Sequence, residues 1–103
     1  MRERRAASGR AYLEFLRRPD LSVGLYELPA GGTDPQSPHT EDEIYFVISG
    51  RSRFRAGEED RAAETGDVLF VAAGVPHRFH SIEEALVLLV MFAPPEGTRA
   101  RKH

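Results

Sequence analysis

The sequence predicts an all-β protein. Its apolar and alternating runs are short, and Gly, Pro, Asp and Ser punctuate them at close intervals. Two of the runs, IYFVIS at 44–49 and ALVLLVMFA at 85–93, are apolar at successive positions, as in strands covered on both faces.

The elements follow in order. AYLEFL (11–16) ends at RRPD, and LSVGLYEL (21–28) ends in the turn-rich PAGGTDPQSP. Residues 6–16 are the stretch where a helix competes with a strand, but no cap or sustained 3.6-residue period supports it. IYFVIS is expected to turn at Gly50-Arg51 into SRFRA, followed by a GEED loop. DRAAE, a Thr65-Gly66-Asp67 turn, VLFVA, an Ala73-Gly74-Val75-Pro76 turn, HRFHSI and ALVLLVMF complete the series. Gly31, Gly32, Gly50, Gly66 and Gly74 read as turn residues with positive φ.

At 103 residues the chain suits one domain, expected over 11–95 between flexible ends at 1–10 and 96–103. Its 41% apolar and 29% charged residues are those of a globular protein. Fourteen basic against 16 acidic residues give a net charge of −2, which speaks against a nucleic-acid or anionic-membrane partner. With no cysteine, disulfides, thiolate metal sites and cysteine nucleophiles are excluded. The run at 85–93 is well short of the roughly 20 residues of a spanning helix. No apolar stretch follows the charged start MRERRAASGRAYLEF, and a cytoplasmic protein is expected. Ile44, Phe46 and Ile48 face opposite to Glu43, Tyr45 and Val47, so both sides of that strand need cover. The N-terminal strands or a second copy would supply it, and the short chain favours a homodimer.

The candidate chemistry lies in His39, Glu43 and His77. His39 precedes a strand that Glu43 opens, and His77 opens another strand after the AAGVP turn. Each histidine follows a proline (Pro38, Pro76), which restricts the backbone before it. Two imidazoles and a carboxylate make the facial arrangement that favours Fe(II) and also takes Mn, Ni, Co or Zn, with positions left open. The same residues also suit a hydrogen-bonded polar turn at the start of a buried strand.

The pattern resembles the cupin family. Gly32, five residues and then PHTEDEIYFVISG (38–50) are similar to its first motif, with three residues between His39 and Glu43 and six between Glu43 and Gly50. GDVLFVAAGVPHRFHS (66–81) is similar to its second, with Gly66, Gly74 and His77 at the right intervals, and fifteen residues separate the two. The resemblance covers roughly residues 20–93 and implies a small double-stranded β-helix, the jelly-roll barrel also called RmlC-like. It implies His39, Glu43 and His77 as ligands of a divalent metal, with Fe(II) favoured. Ser37 stands where the family has a further histidine, Ala72 replaces its proline and Ser81 its asparagine. The first change leaves three ligands, or three with a weak oxygen from Ser37 or Gln36.

On this reading Tyr45, Val47 and Phe79 line the pocket, and the Tyr45 hydroxyl is a donor to a bound ligand. Glu41 and Asp42 are expected in a solvated turn. His80, three residues past His77, is expected on the opposite face, exposed or at a subunit contact. Arg51, Arg53 and Arg55 read as a solvated strand face rather than a substrate rim. The functional expectation is a metal-dependent enzyme of dioxygenase, isomerase or decarboxylase type acting on a small organic substrate. The alternative is a non-catalytic ligand-binding or structural protein with a weak or absent metal site.

Overall fold

The computed structural model describes residues 12–34 and 40–95. The expected ends at 1–10 and 96–103, together with Gln36, Ser37 and His39, lie outside the described residues.

Every described element is a strand: β1 (Tyr12–Arg18), β2 (Leu21–Leu28), β3 (Asp42–Ala56), β4 (Glu59–Glu64), β5 (Val68–Val71) and β6 (His77–Ala93). All pairs are antiparallel, in the order β1-β2-β6-β3-β4, with β5 on β3. Where the helix competed, β1 pairs with β2, Tyr12 opposite Tyr26 and Leu13 opposite Leu25. Backbone pairing and a half-buried face decide the conformation there.

One expected turn is absent, and two runs read as separate are one strand. Gly50-Arg51 does not reverse the chain, and β3 runs on through it for 15 residues. HRFHSI and ALVLLVMF likewise form one strand, the 17-residue β6. Both long strands are irregular near these points. The β3–β6 register shifts at three successive places between Val47 and Arg53, and Ser81 on β6 has φ 51°. The first half of β3 therefore pairs with β5 and the end of β6, the second half with β4 and the start of β6.

The bend makes the barrel. Tyr45 and Phe54 lie nine positions apart on β3, a span of roughly 30 Å in a straight strand, yet their ring centroids are 5.7 Å apart. Phe79 completes the cluster, 5.0 Å from Tyr45 and 4.6 Å from Phe54. Gly50 permits the bend: its φ is 110°, and a Cβ there would lie 2.3 Å from the Ala85 carbonyl oxygen. The Thr65–Asp67 turn braces the same point, with Thr65 N donating to Gly50 O (3.1 Å) and Gly66 N to Val47 O (2.8 Å). Gly32, unlike the other four glycines named, does not have positive φ; a side chain there would instead meet Pro29.

Of the two covers expected for β3, the N-terminal strands do not supply one. Tyr45 and Val47 are fully buried, but Phe46 and Ile48 on the other face are 36% and 41% exposed. β1 and β2 extend the sheet sideways instead of packing over it.

Candidate metal and ligand site

Strand alternation from the bend back to the start of β3 sends Val47, Tyr45, Glu43 and Glu41 to the interior, and all four are buried. Glu43 sits between Val71 of β5 and Phe92 of β6, held centrally in the sheet. His77 enters from the start of β6, where two backbone contacts fix the preceding turn. Ala73 N donates to Asp42 Oδ1 (2.9 Å), and Gly57 N donates to Pro76 O (2.9 Å).

These constraints bring Glu43 and His77 together. His77 Nε2 lies 3.0 Å from Glu43 Oε1, with each side chain 1% exposed. The same nitrogen is 3.2 Å from the Tyr45 hydroxyl. On the other side of the ring, Nδ1 lies 2.9 Å from the Val75 carbonyl oxygen, to which it donates. That bond places a proton on Nδ1 and leaves Nε2 to face the carboxylate. Burial pulls the imidazole pKa down, but the hydrogen bonds to Glu43 and Val75 and the charges of Glu43 and Asp34 outweigh it, so the pKa rises above 6.5. Nε2 thus holds a second proton readily, pointed at Glu43.

The donor set fits a divalent cation in that proton's place. One neutral imidazole nitrogen with its opposite N–H anchored to a carbonyl, beside a buried carboxylate, would supply two of the three ligands of a two-histidine, one-carboxylate site. Among the described residues no three His, Asp or Glu converge as a ligand cluster. The third ligand of the expected set, His39, lies outside the described residues, as do Ser37 and Gln36.

Tyr45, Val47 and Phe79 are each fully buried around this pair, with the Phe79 ring edge-on to Tyr45. Glu41 corrects the expectation of a solvated turn: it is 2% exposed and accepts a hydrogen bond from the Thr40 hydroxyl. Counting back by twos from Glu43 puts Glu41 on the inner face, a signal the polar surroundings TED obscure. Asp42, half-buried, is the acceptor that anchors the turn before His77.

Asp34 is a buried acid that sequence reasoning missed. Its Oδ1 accepts from the Tyr26 hydroxyl (2.5 Å) and its Oδ2 from Phe79 N (2.9 Å). With Gly31 N donating to Ile82 O (2.9 Å), it fastens the loop after β2 along β6. No local signal marks it, because its partner Phe79 is 45 residues away.

His80 faces away from the site, as expected. Its Nε2 lies 2.8 Å from Asp60 Oδ2, with both side chains 30% exposed. Desolvation pushes the Asp60 carboxyl up, but hydrogen bonds from His80 and Arg53 outweigh it and hold it below the ordinary value. Arg53 pairs with Asp60 and Arg51 with Glu83 and Glu84, all on the surface, in keeping with a solvated strand face.

Comparison with known proteins agrees with this architecture. The chain is 54% identical over 93 residues to an uncharacterized protein of Streptomyces coelicolor, covering 90% of this chain and 89% of that one. It is 30% identical over 73 residues to the dimethylsulfoniopropionate lyase DddQ of Ruegeria pomeroyi, covering 70% of this chain but only 36% of the lyase. An RmlC-like cupin protein of Methanocaldococcus jannaschii with a double-stranded β-helix fold superposes with a TM-score of 0.72, at 18% identity, over 81% of this chain and 78% of that one. The cupin domain family matches residues 24–92, from the middle of β2 to near the end of β6. A bent β3, a β6 that pairs with it toward both ends and a buried carboxylate–imidazole pair are thus the features of a chain that belongs to the cupin domain family.

Proposed function

We propose that this cupin binds one divalent metal ion in its barrel through His39, Glu43 and His77, with Fe(II) favoured over Mn, Ni, Co and Zn, and acts on a small organic substrate there. The observation that carries the proposal is the Glu43–His77 pair, 3.0 Å apart and 1% exposed on both sides. A buried acid beside a buried histidine is costly to fold unless the two share a proton or a cation. The Nδ1–Val75 bond supports the cation, because it turns Nε2 toward the Glu43 carboxylate.

When bound, such a metal supplies a Lewis acid for substrate oxygens, or a dioxygen site as Fe(II). The chain's own residues do the rest. Glu43 balances charge, the Val75 carbonyl orients His77, and Tyr45, Val47 and Phe79 exclude water around them. The Tyr45 hydroxyl, 3.2 Å from His77 Nε2, is a neutral donor beside the pair and the natural contact for a ligand oxygen. The similarity to DddQ supports a lyase-like or other non-redox reaction as one member of this class; Fe(II)-dependent oxygenation is another. We place the protein in the cytoplasm as a homodimer.

Calorimetric titration of metal-free protein with each of the five metals, Fe(II) under anaerobic conditions, tests the site. Binding of one ion per chain by the wild type, weakened at least a hundredfold in His39→Ala, supports it. Equal binding by the variant removes His39 from the site, and absence of binding by every metal refutes the proposal. Oxygen uptake by the Fe(II) form with candidate substrates then separates oxygenation from non-redox chemistry.

A further inference from the structure

Among the described residues, Ser81 alone has positive φ without being glycine, at 51°. The β3–β6 register passes from Arg53 opposite His80 to Arg51 opposite Glu84, so Ser81, Ile82 and Glu83 stand against Ser52 alone. A bulge of this kind takes a side chain out of the strand's alternation and re-aims it. Here it leaves Ser81 exposed, beside the half-buried His80 that precedes it.

Ser81, His80 and Asp60 form one hydrogen-bonded chain. The Ser81 hydroxyl lies 3.0 Å from His80 Nδ1, and His80 Nε2 lies 2.8 Å from Asp60 Oδ2 on β4. Arg53 grips the far side of Asp60, Nε to Oδ1 (3.1 Å) and Nη2 to the backbone oxygen (3.0 Å). An ionised carboxylate only accepts, so the proton of the neutral imidazole sits on Nε2. Nδ1 is then the acceptor, and the Ser81 hydroxyl donates to it. Hydroxyl, base, and a carboxylate that fixes the tautomer of the base are the parts of an activated nucleophile. A brace from β4 to β6 would need the Asp60–His80 bond alone. It accounts neither for a serine on Nδ1 nor for the strained backbone that holds it there.

We infer that Ser81 is the nucleophile of a second, metal-independent site that hydrolyses small carboxylic esters, with His80 as general base and Asp60 as a positioning residue. As Ser81 Oγ bonds to the ester carbonyl carbon, its proton passes to His80 Nδ1. The adduct collapses with cleavage of the bond to the alkoxy oxygen, and the alcohol leaves with that proton. Water then attacks the acyl-serine and gives a proton to Nδ1. The carboxylic acid departs as Ser81 Oγ takes that proton back. Ser81 is exposed, and Glu83 and Glu84 that follow it, with Arg51, are charged, which suits a short acyl chain rather than a long apolar one. The inference stands apart from the Glu43–His77 site, from which His80 faces away.

The full chain, kept in chelator so that the Glu43–His77 site holds no metal, is assayed with p-nitrophenyl acetate. Phenylmethylsulfonyl fluoride followed by peptide mapping in a mass spectrometer then locates the nucleophile. The expected result is ester hydrolysis above that of equimolar free imidazole and one sulfonyl group per chain, on Ser81. Ser81→Ala and Ser81→Gly lose both, and the glycine variant, at ease with positive φ, is expected to fold, which far-ultraviolet circular dichroism checks. His80→Gln is expected to lower the rate at least about tenfold. Asp60→Asn is expected to lower it several-fold, and Asp60→Glu to restore most of the loss. Hydrolysis no faster than free imidazole, hydrolysis that Ser81→Gly retains, or a label on another residue or on none overturns the site. Equal losses in the two Asp60 variants overturn the positioning role of that carboxylate.

Discussion

Glu43 and His77 face each other at 3.0 Å across the start of the barrel, each with a side chain 1% exposed. In metal-free protein this pair is held by the proton on Nε2, and that sets a pH dependence. The folded-state pKa of His77 is raised above 6.5 by Glu43, Val75 and Asp34 despite the opposing effect of burial. Its contribution to stability is therefore fully present below about pH 6.5 and is lost as pH rises through the folded value. The Tm of metal-free protein is expected to fall across that window. Glu43→Gln, which removes the charge that holds the proton, flattens the profile. A wild-type Tm that rises with pH over the window contradicts this account of the pair.

The buried Asp34 carboxylate makes a second prediction. It accepts from the Tyr26 hydroxyl and from Phe79 N. Asp34→Ala removes the acceptor from both donors in a buried setting, at a cost of about 2–4 kcal/mol. Tyr26→Phe, which loses one bond and leaves Asp34 its bond from Phe79, costs about 1 kcal/mol. Urea denaturation of the two variants measures the difference, and equal costs would remove Asp34 from its role as fastener of the loop.

Gly50 gives the third. Alanine there needs φ of 110° and sets its Cβ against the Ala85 carbonyl. Strain and overlap together are expected to cost roughly 3 kcal/mol. Gly66 has φ of 93° but open space around it, so Gly66→Ala meets the strain alone and is expected to cost about 1–2 kcal/mol. Comparable values for the two would mean that the close approach at the bend contributes nothing.

The aromatic cluster gives the fourth. Phe79 is fully buried between Tyr45 and Phe54. Phe79→Ala is expected to cost about 3–5 kcal/mol in denaturant unfolding, and Phe79→Leu less than half of that, because the leucine refills most of the space. A loss under 1 kcal/mol for the alanine variant would place Phe79 outside the core.

The strands were legible in the sequence because period-two alternation and turn residues are local signals. LSVGLYEL became β2 without a residue's change, and alternation put Glu43, Tyr45 and Val47 together on one face, which the resemblance made the inner one. What the sequence hid was long-range. A Gly-Arg pair reads as a hairpin turn, and only the pairing of β3 with β6 across Gly50 shows that the strand bends and continues. Asp34 escaped notice because its meaning comes from Phe79, far along the chain. Glu41 was obscured by its neighbours Thr40 and Asp42, although alternation from Glu43 places it inside. The apolar run IYFVIS implied cover on both sides, and the described residues supply it on one.

The central claim is that the Glu43–His77 pair is part of a metal site. Elemental analysis of protein reconstituted anaerobically with Fe(II) and desalted tests it most directly, beside Glu43→Ala and His77→Ala. The account predicts close to one iron per chain in the wild type and less than a tenth of that in either variant. Wild-type protein that retains no stoichiometric metal after reconstitution with Fe(II), Mn, Ni, Co or Zn would contradict it.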